Sequence, residues 1–125
     1  MKKIISTDSA PAAIGPYSQA VQIRDMLFTS GQIPLNPQTM QVETEDISAQ
    51  TKQVMENIKA VLTAADFSLE NVVKCTIFLA DMNDFAKVNE VYGAYFAQNP
   101  PARSCVEVSR LPLDVKVEIE CIANK

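Results

Sequence analysis

The chain has 125 residues, 47 % of them apolar, and a formal net charge of −4. That length suits one domain with an ordinary globular core, burying roughly two-thirds of its unfolded surface without disulfide staples. Histidine and tryptophan are absent, which removes the commonest metal ligand and general base, and no lysine or arginine cluster supplies the basic stripe that nucleic-acid binders use.

Residues 2–5 read as a short edge strand. The stretch Ala10-Pro11-Ala12-Ala13-Ile14-Gly15-Pro16-Tyr17 reads as a loop, because the prolines and Gly15 break any period. Two short strands follow at about 19–23 and 26–30, joined at Arg24-Asp25, the second rich in strand formers (Leu27, Phe28, Thr29). Gly31 and Pro34 end it, and 34–41 is a polar loop.

Ile47, Thr51, Val54, Met55, Ile58, Val61, Leu62 and Ala65 fall on one face at helical spacing, with Asp46 as N-cap. A strand is expected at about 72–80, Val-Val-Lys-Cys-Thr-Ile-Phe-Leu-Ala, with β-branched residues along it. A second helix over about 84–98 carries the stripe Phe85, Val88, Tyr92 and Phe96, and Asn99-Pro100-Pro101 stops it. Two strands close the chain, at about 103–108 and 115–122, the latter alternating Val115, Val117, Ile119 and Cys121 against Lys116, Glu118, Glu120 and Ile122.

The order β-β-β-α-β-α-β-β predicts an α+β fold with one sheet and two helices on one face, a single domain over 1–125. The opposite face carries Glu118 and Lys116, and Lys74, Thr76 and Phe78 share a face of the mid-chain strand. Such a mix of apolar and charged residues suits an oligomer interface or a cleft better than bare solvent. Three cysteines, odd in number and without a CxxC pair, predict free thiols in a reducing compartment. No apolar stretch approaches the ~20 residues that span a bilayer, and the N-terminus lacks the apolar run of a signal peptide, so the expectation is a cytoplasmic protein with no membrane partner.

Few residues carry candidate chemistry. Arg103, at a strand start after Pro100-Pro101-Ala102, suits a two-bond grip on a carboxylate; the plainer reading is a surface arginine. Glu118 suits orienting and deprotonating a water, but Glu120 shares its face and the pattern does not choose between them. Asn89 falls within the apolar stripe of the second helix, where a buried amide needs partners from backbone or ligand. Cys105 shares a face with Arg103, and packing is its plainer role. Gly31, after Ser30, allows close approach of backbone to a ligand, or is a turn glycine. No P-loop, GxGxxG, GxSxG or metal-ligand spacing is present.

Gly15-Pro16-Tyr17-Ser18-Gln19-Ala20, Ser30-Gly31-Gln32-Ile33-Pro34, Thr76-Ile77-Phe78-Leu79 with Asp81-Met82, Pro101-Ala102-Arg103-Ser104 and Val117-Glu118-Ile119-Glu120 occur in that order. Together they resemble the YjgF/RidA family of reactive-intermediate deaminases, over about residues 3–123. The resemblance implies a chorismate-mutase-like α+β fold. It also implies a homotrimer whose sheets line a central barrel, with three clefts between subunits. The implied activity, without cofactor or metal, is hydrolysis of 2-iminobutanoate or 2-iminopropanoate to the 2-oxo acid and ammonia. By motif position Arg103 binds the substrate carboxylate, the Gly31 backbone assists, and Glu118 positions the attacking water. Tyr17, Ser30, Asn89 and the backbone of Cys105 line the cleft. Rival readings are an endoribonuclease, as the family's L-PSP name implies for some members, a non-catalytic 2-oxo-acid-binding regulatory trimer, and a redox-controlled holdase. The acidic charge and missing histidine weigh against the first.

Overall fold

The computed structural model describes residues 1–125, in which eight regular elements follow one another. They are β1 (Lys3–Ile5), β2 (Ala20–Ile23), β3 (Met26–Thr29), α1 (Ile47–Ala64), β4 (Val72–Leu79), α2 (Phe85–Tyr95), β5 (Ala102–Glu107) and β6 (Val117–Asn124). The six strands form one mixed sheet in the order β1-β2-β3-β6-β4-β5. All neighbours are antiparallel except β4 and β5, which run parallel because α2 crosses over between them. The final strand is inserted at the centre, between β3 and β4, so β6 is supported on both sides.

The expected stripes are the buried ones, except that Phe85 is half-buried. Ile47, Thr51, Val54, Met55, Ile58, Val61, Leu62 and Ala65 are all buried, as are Val88, Tyr92 and Phe96 of the second stripe. They meet the buried set of the sheet, including Cys75, Ile77, Leu79, Val117, Ile119 and Cys121, in one core cluster. Asp46 caps α1 by accepting from the Ala49 N–H at 2.9 Å. The helix ends without glycine. Asp66 takes a left-handed conformation (φ 63°), its N–H donates to Thr63 O, and the Phe67 N–H reaches back to Leu62 O. Phe67 then packs into the core, the apolar contact that accompanies this kind of helix stop.

Two boundaries differ from expectation. α2 stops at Tyr95 rather than about 98, because Phe96 leaves helical geometry and its N–H closes a tight bond to Gly93 O. β6 begins at Val117 rather than 115, because Leu113 and Asp114 both take left-handed φ in a turn over Pro112–Asp114. Val115 is buried all the same.

Register fixes which face each residue shares, since paired residues point the same way and successive ones alternate. Cys75 pairs with Cys121 on one side and Arg103 on the other, and all three face the helices. Phe78 pairs with Glu118 and Val106 on the opposite face. No helix covers that outer face. Ile4, Val21, Phe28 and Ile122 run across it through four successive strands, with Ile4 52 % and Phe28 42 % exposed.

Candidate functional site

The candidate residues fall into two groups. The first lies on the outer face around Glu118. Beyond β3 the chain runs beside β6, where Gln32 and Ile119 exchange backbone hydrogen bonds of 2.8 and 3.1 Å. This brings Gly31 against the Glu118 side chain. A Cβ at residue 31 would lie 2.8 Å from the Glu118 Cδ and closer still to Oε2, so the carboxylate occupies the space a side chain would fill. Glycine serves close approach here, not an unusual φ. The Gly31 N–H meets no acceptor in the chain.

Glu118 is half-buried and accepts no hydrogen bond from the chain. Burial, and secondarily the neighbouring Glu120, push its carboxyl above the ordinary glutamate value. It therefore holds a proton more readily than a surface glutamate, as a water-activating base should. Glu120 shares the face but is exposed and pairs with Thr76, so burial separates two glutamates that the alternating pattern left equivalent.

The loop carrying Tyr17 is tied to the same region. The buried Gln19 amide accepts from the Thr7 N–H at 2.6 Å and donates to Thr7 O, Ala10 O and Pro11 O. Ser30 donates its hydroxyl to Ser18 O at 2.6 Å. Ser30 thus holds the loop through its proton, and Tyr17 stands 52 % exposed beside it.

The second group surrounds Arg103 at the sheet edge, on the helix side. The guanidinium Nη1 donates to Asn89 Oδ1 at 2.7 Å. Its central carbon lies 5.4 Å from the Phe85 ring centroid and 5.2 Å from that of Tyr92, within cation–π range. The chain's only ion pair is the exposed Arg110–Asp114, so Arg103, although half-buried, has no carboxylate partner. A cavity of about 440 Å³ opens beside it, lined by Asn89, Tyr92, Gly93, Phe96, Pro100 and Pro101. Asn89 itself is exposed, contrary to the buried amide its place in the stripe suggested; it sits at the stripe's rim, with its oxygen on Arg103. Cys105 shares the Arg103 face as expected, and burial pushes its thiol up despite the nearby guanidinium. A thiol raised in this way suits packing better than nucleophilic attack.

The two groups do not meet within one chain. Arg103 and Glu118 leave opposite faces of the sheet, on strands either side of β4 and three residues apart in register. Strand spacing and rise put their backbones roughly 14 Å apart. One chain therefore holds the two groups apart, one on each face of the sheet.

The sequence reading missed the residues that support both. Gln19 and Asn57 are buried amides whose signal was a polar side chain inside an otherwise apolar stretch. Asn57 donates to Ile33 O and Leu35 O and so pins the segment after Gly31 onto α1. Phe85 and Tyr92 were legible only as core. No three His, Cys, Asp or Glu side chains cluster so as to hold a metal ion, and no helix is long and apolar enough to cross a membrane.

Residues 7–125 match the family described as endoribonuclease L-PSP. A Salmonella typhimurium protein named 2-iminobutanoate/2-iminopropanoate deaminase is 55 % identical over 126 aligned residues, covering 98 % of each chain. The crystal structure of Thermotoga maritima TM0215 superposes with a TM-score of 0.98 at 52 % identity, covering 100 % of this chain and 98 % of that one. That of Escherichia coli TdcF with bound serine gives 0.94 at 50 %, covering 98 % of both.

Proposed function

The chain belongs to the endoribonuclease L-PSP family, and from that premise we propose that it hydrolyses the C=N bond of small 2-imino acids, 2-iminobutanoate and 2-iminopropanoate, releasing the 2-oxo acid and ammonia. The site is shared between copies in a homotrimer, where Arg103 of one copy faces Gly31 and Glu118 of the next. The outer sheet face, with Ile4, Phe28 and Val106 exposed, supplies the apolar contact surface for that assembly. The observation that carries the reading is Arg103: half-buried, fixed by α2 and left without a counter-ion. A guanidinium so held complements a planar carboxylate, and a 2-imino acid carries one beside its reactive carbon. The serine bound to the Escherichia coli relative carries the same group.

The chemistry follows from the charges. The protonated imine carbon is already electrophilic. Glu118 accepts a proton from water as the oxygen bonds to that carbon and the C=N π pair moves to nitrogen. That proton then passes to nitrogen, the C–N bond breaks, and ammonia leaves as the hydroxyl gives its remaining proton back to Glu118 and the C=O forms; the proton ends on the departing ammonia as ammonium. The free Gly31 N–H donates to the substrate's oxygen atoms. Positioning of the two reactants supplies several kcal/mol, and a placed base about 10²–10⁴-fold.

The test couples a threonine dehydratase to this protein, with semicarbazide competing for the imine, and follows 2-oxobutanoate. Wild type is expected to accelerate its release and Arg103→Ala to abolish the effect. No acceleration by wild type overturns the deaminase reading. The family's name prompts a second assay: salt-sensitive RNA cleavage that vanishes in Arg103→Ala would put ribonuclease chemistry in its place.

A further inference from the structure

Phe85, Asn89 and Tyr92 lie at helical spacing i, i+4 and i+7, one stripe of α2. Seven residues at about 1.5 Å rise separate the two backbone positions by roughly 10.5 Å along the axis. The Arg103 guanidinium carbon lies 5.4 and 5.2 Å from their centroids, so it sits between the rings, over Asn89. The amide oxygen takes one Nη1 proton, while Nε and Nη2 meet no acceptor in the chain. That leaves the Nε–Nη2 pair of the planar fork without a partner in the chain, the pair a two-bond carboxylate grip uses. Asn89 is also neutral: it orients the cation without cancelling its charge, which an acid at that place would do.

We propose that Phe85, Asn89 and Tyr92 form a positioning cradle that holds the Arg103 guanidinium in the plane and direction that receive a carboxylate, so that α2 sets how tightly a 2-imino or 2-oxo acid is anchored. This rests on the reading of Arg103 as the carboxylate anchor. The three are positioning residues; they act through Arg103, not on the reacting atoms. Two aromatic faces restrict its tilt, and the hydrogen bond fixes its rotation.

The test measures binding of 2-oxobutanoate by calorimetry, beside KM and kcat in the coupled assay and the melting temperature of each variant. Asn89→Asp places a carboxylate on Nη1. It is expected to weaken binding at least tenfold and raise KM in step, with kcat near wild type and the melting temperature unchanged or higher. A purely structural amide would not move affinity and stability in opposite directions. Phe85→Leu keeps apolar volume and loses one ring, and about a tenfold loss of affinity is expected. Tyr92→Leu is expected to lose as much, and Tyr92→Phe, which keeps the ring, to restore it. Wild-type affinity in a folded Asn89→Asp or Phe85→Leu protein overturns the cradle while leaving Arg103 its role. Equal binding by wild type and Arg103→Ala overturns the anchor reading itself, and the cradle with it.

Discussion

The two half-sites are built by different means. Around Glu118 the work is done by backbone: a glycine whose missing Cβ makes room for the carboxylate, and a two-bond bridge that holds Gly31 beside β6. Around Arg103 it is done by side chains from a helix that precedes the strand, two rings and an amide. Each leaves its charged group uncompensated within the chain: a carboxylate without donors on one face, a guanidinium without an acid on the other. Half-buried charges are costly when left alone, and here each is the other's natural complement. Their separation on opposite faces is the reason the proposed function joins them across a boundary between copies.

The sharpest way to break this comparison is to mix its halves. Arg103→Ala and Glu118→Ala are each expected to lose at least ~10²-fold in kcat/KM. Refolded together in equal amounts, they should assemble some clefts that take Arg103 from one variant and Glu118 from the other. With random assembly about a quarter of clefts are intact, so about a quarter of wild-type turnover should return. If one chain supplied both groups, no mixture would recover activity.

Gly31→Ala probes the backbone-built half alone. The new methyl meets the Glu118 carboxyl, the far end of a flexible side chain that can swing aside. Overpacking of this kind costs roughly 1–3 kcal/mol, and the lower end is expected because the glutamate yields. Catalysis should suffer more, by about 10²-fold, since displacement of a reacting group by an ångström has that effect. Binding of 2-oxobutanoate, which depends mainly on the other half and on a Gly31 N–H that alanine keeps, should weaken far less. Equal loss of binding and turnover would mean that the two halves are not separable.

Much of this architecture was legible because it is periodic. The α1 stripe and the alternation of β6 each reported a buried face directly, and Asp46 announced a helix start. The stop of α1 was not legible, because it uses a left-handed Asp66 where glycine is the usual signal. The central place of β6 and the opposed faces of Arg103 and Glu118 depend on strand order and register, which a single sequence does not encode locally. The candidate site residues were picked out by motif, yet the residues that hold them in place were not. Asn57 and Gln19 act on backbone far along the chain, and Phe85 and Tyr92 look like any core aromatics until Arg103 lies between them.

The smallest effect expected is on stability, and its sign follows from the Glu118 environment. Its folded-state carboxyl is raised above the unfolded value, by burial first and Glu120 second. The stability it contributes is therefore present below the unfolded value, and is lost as pH rises through the folded one. Glu118→Gln removes this titration. The variant should melt with wild type at about pH 3, where both side chains are neutral, and above it at about pH 8, where wild type carries a half-buried charge. The same ionisation gives the activity its acid limb: turnover should fall with decreasing pH around a value above that of an ordinary glutamate, about 4.3. Arg103→Lys keeps a positive charge at its own half-site and should leave the Glu118 contribution to the melting profile in place, even where it weakens binding. If Glu118→Gln were instead less stable than wild type at the higher pH, the carboxylate would have a favourable partner in the folded protein. That partner would be Arg103 of the neighbouring copy, the one cation the proposed assembly sets opposite Glu118, and the charge would then be satisfied across the boundary between copies before any substrate arrived.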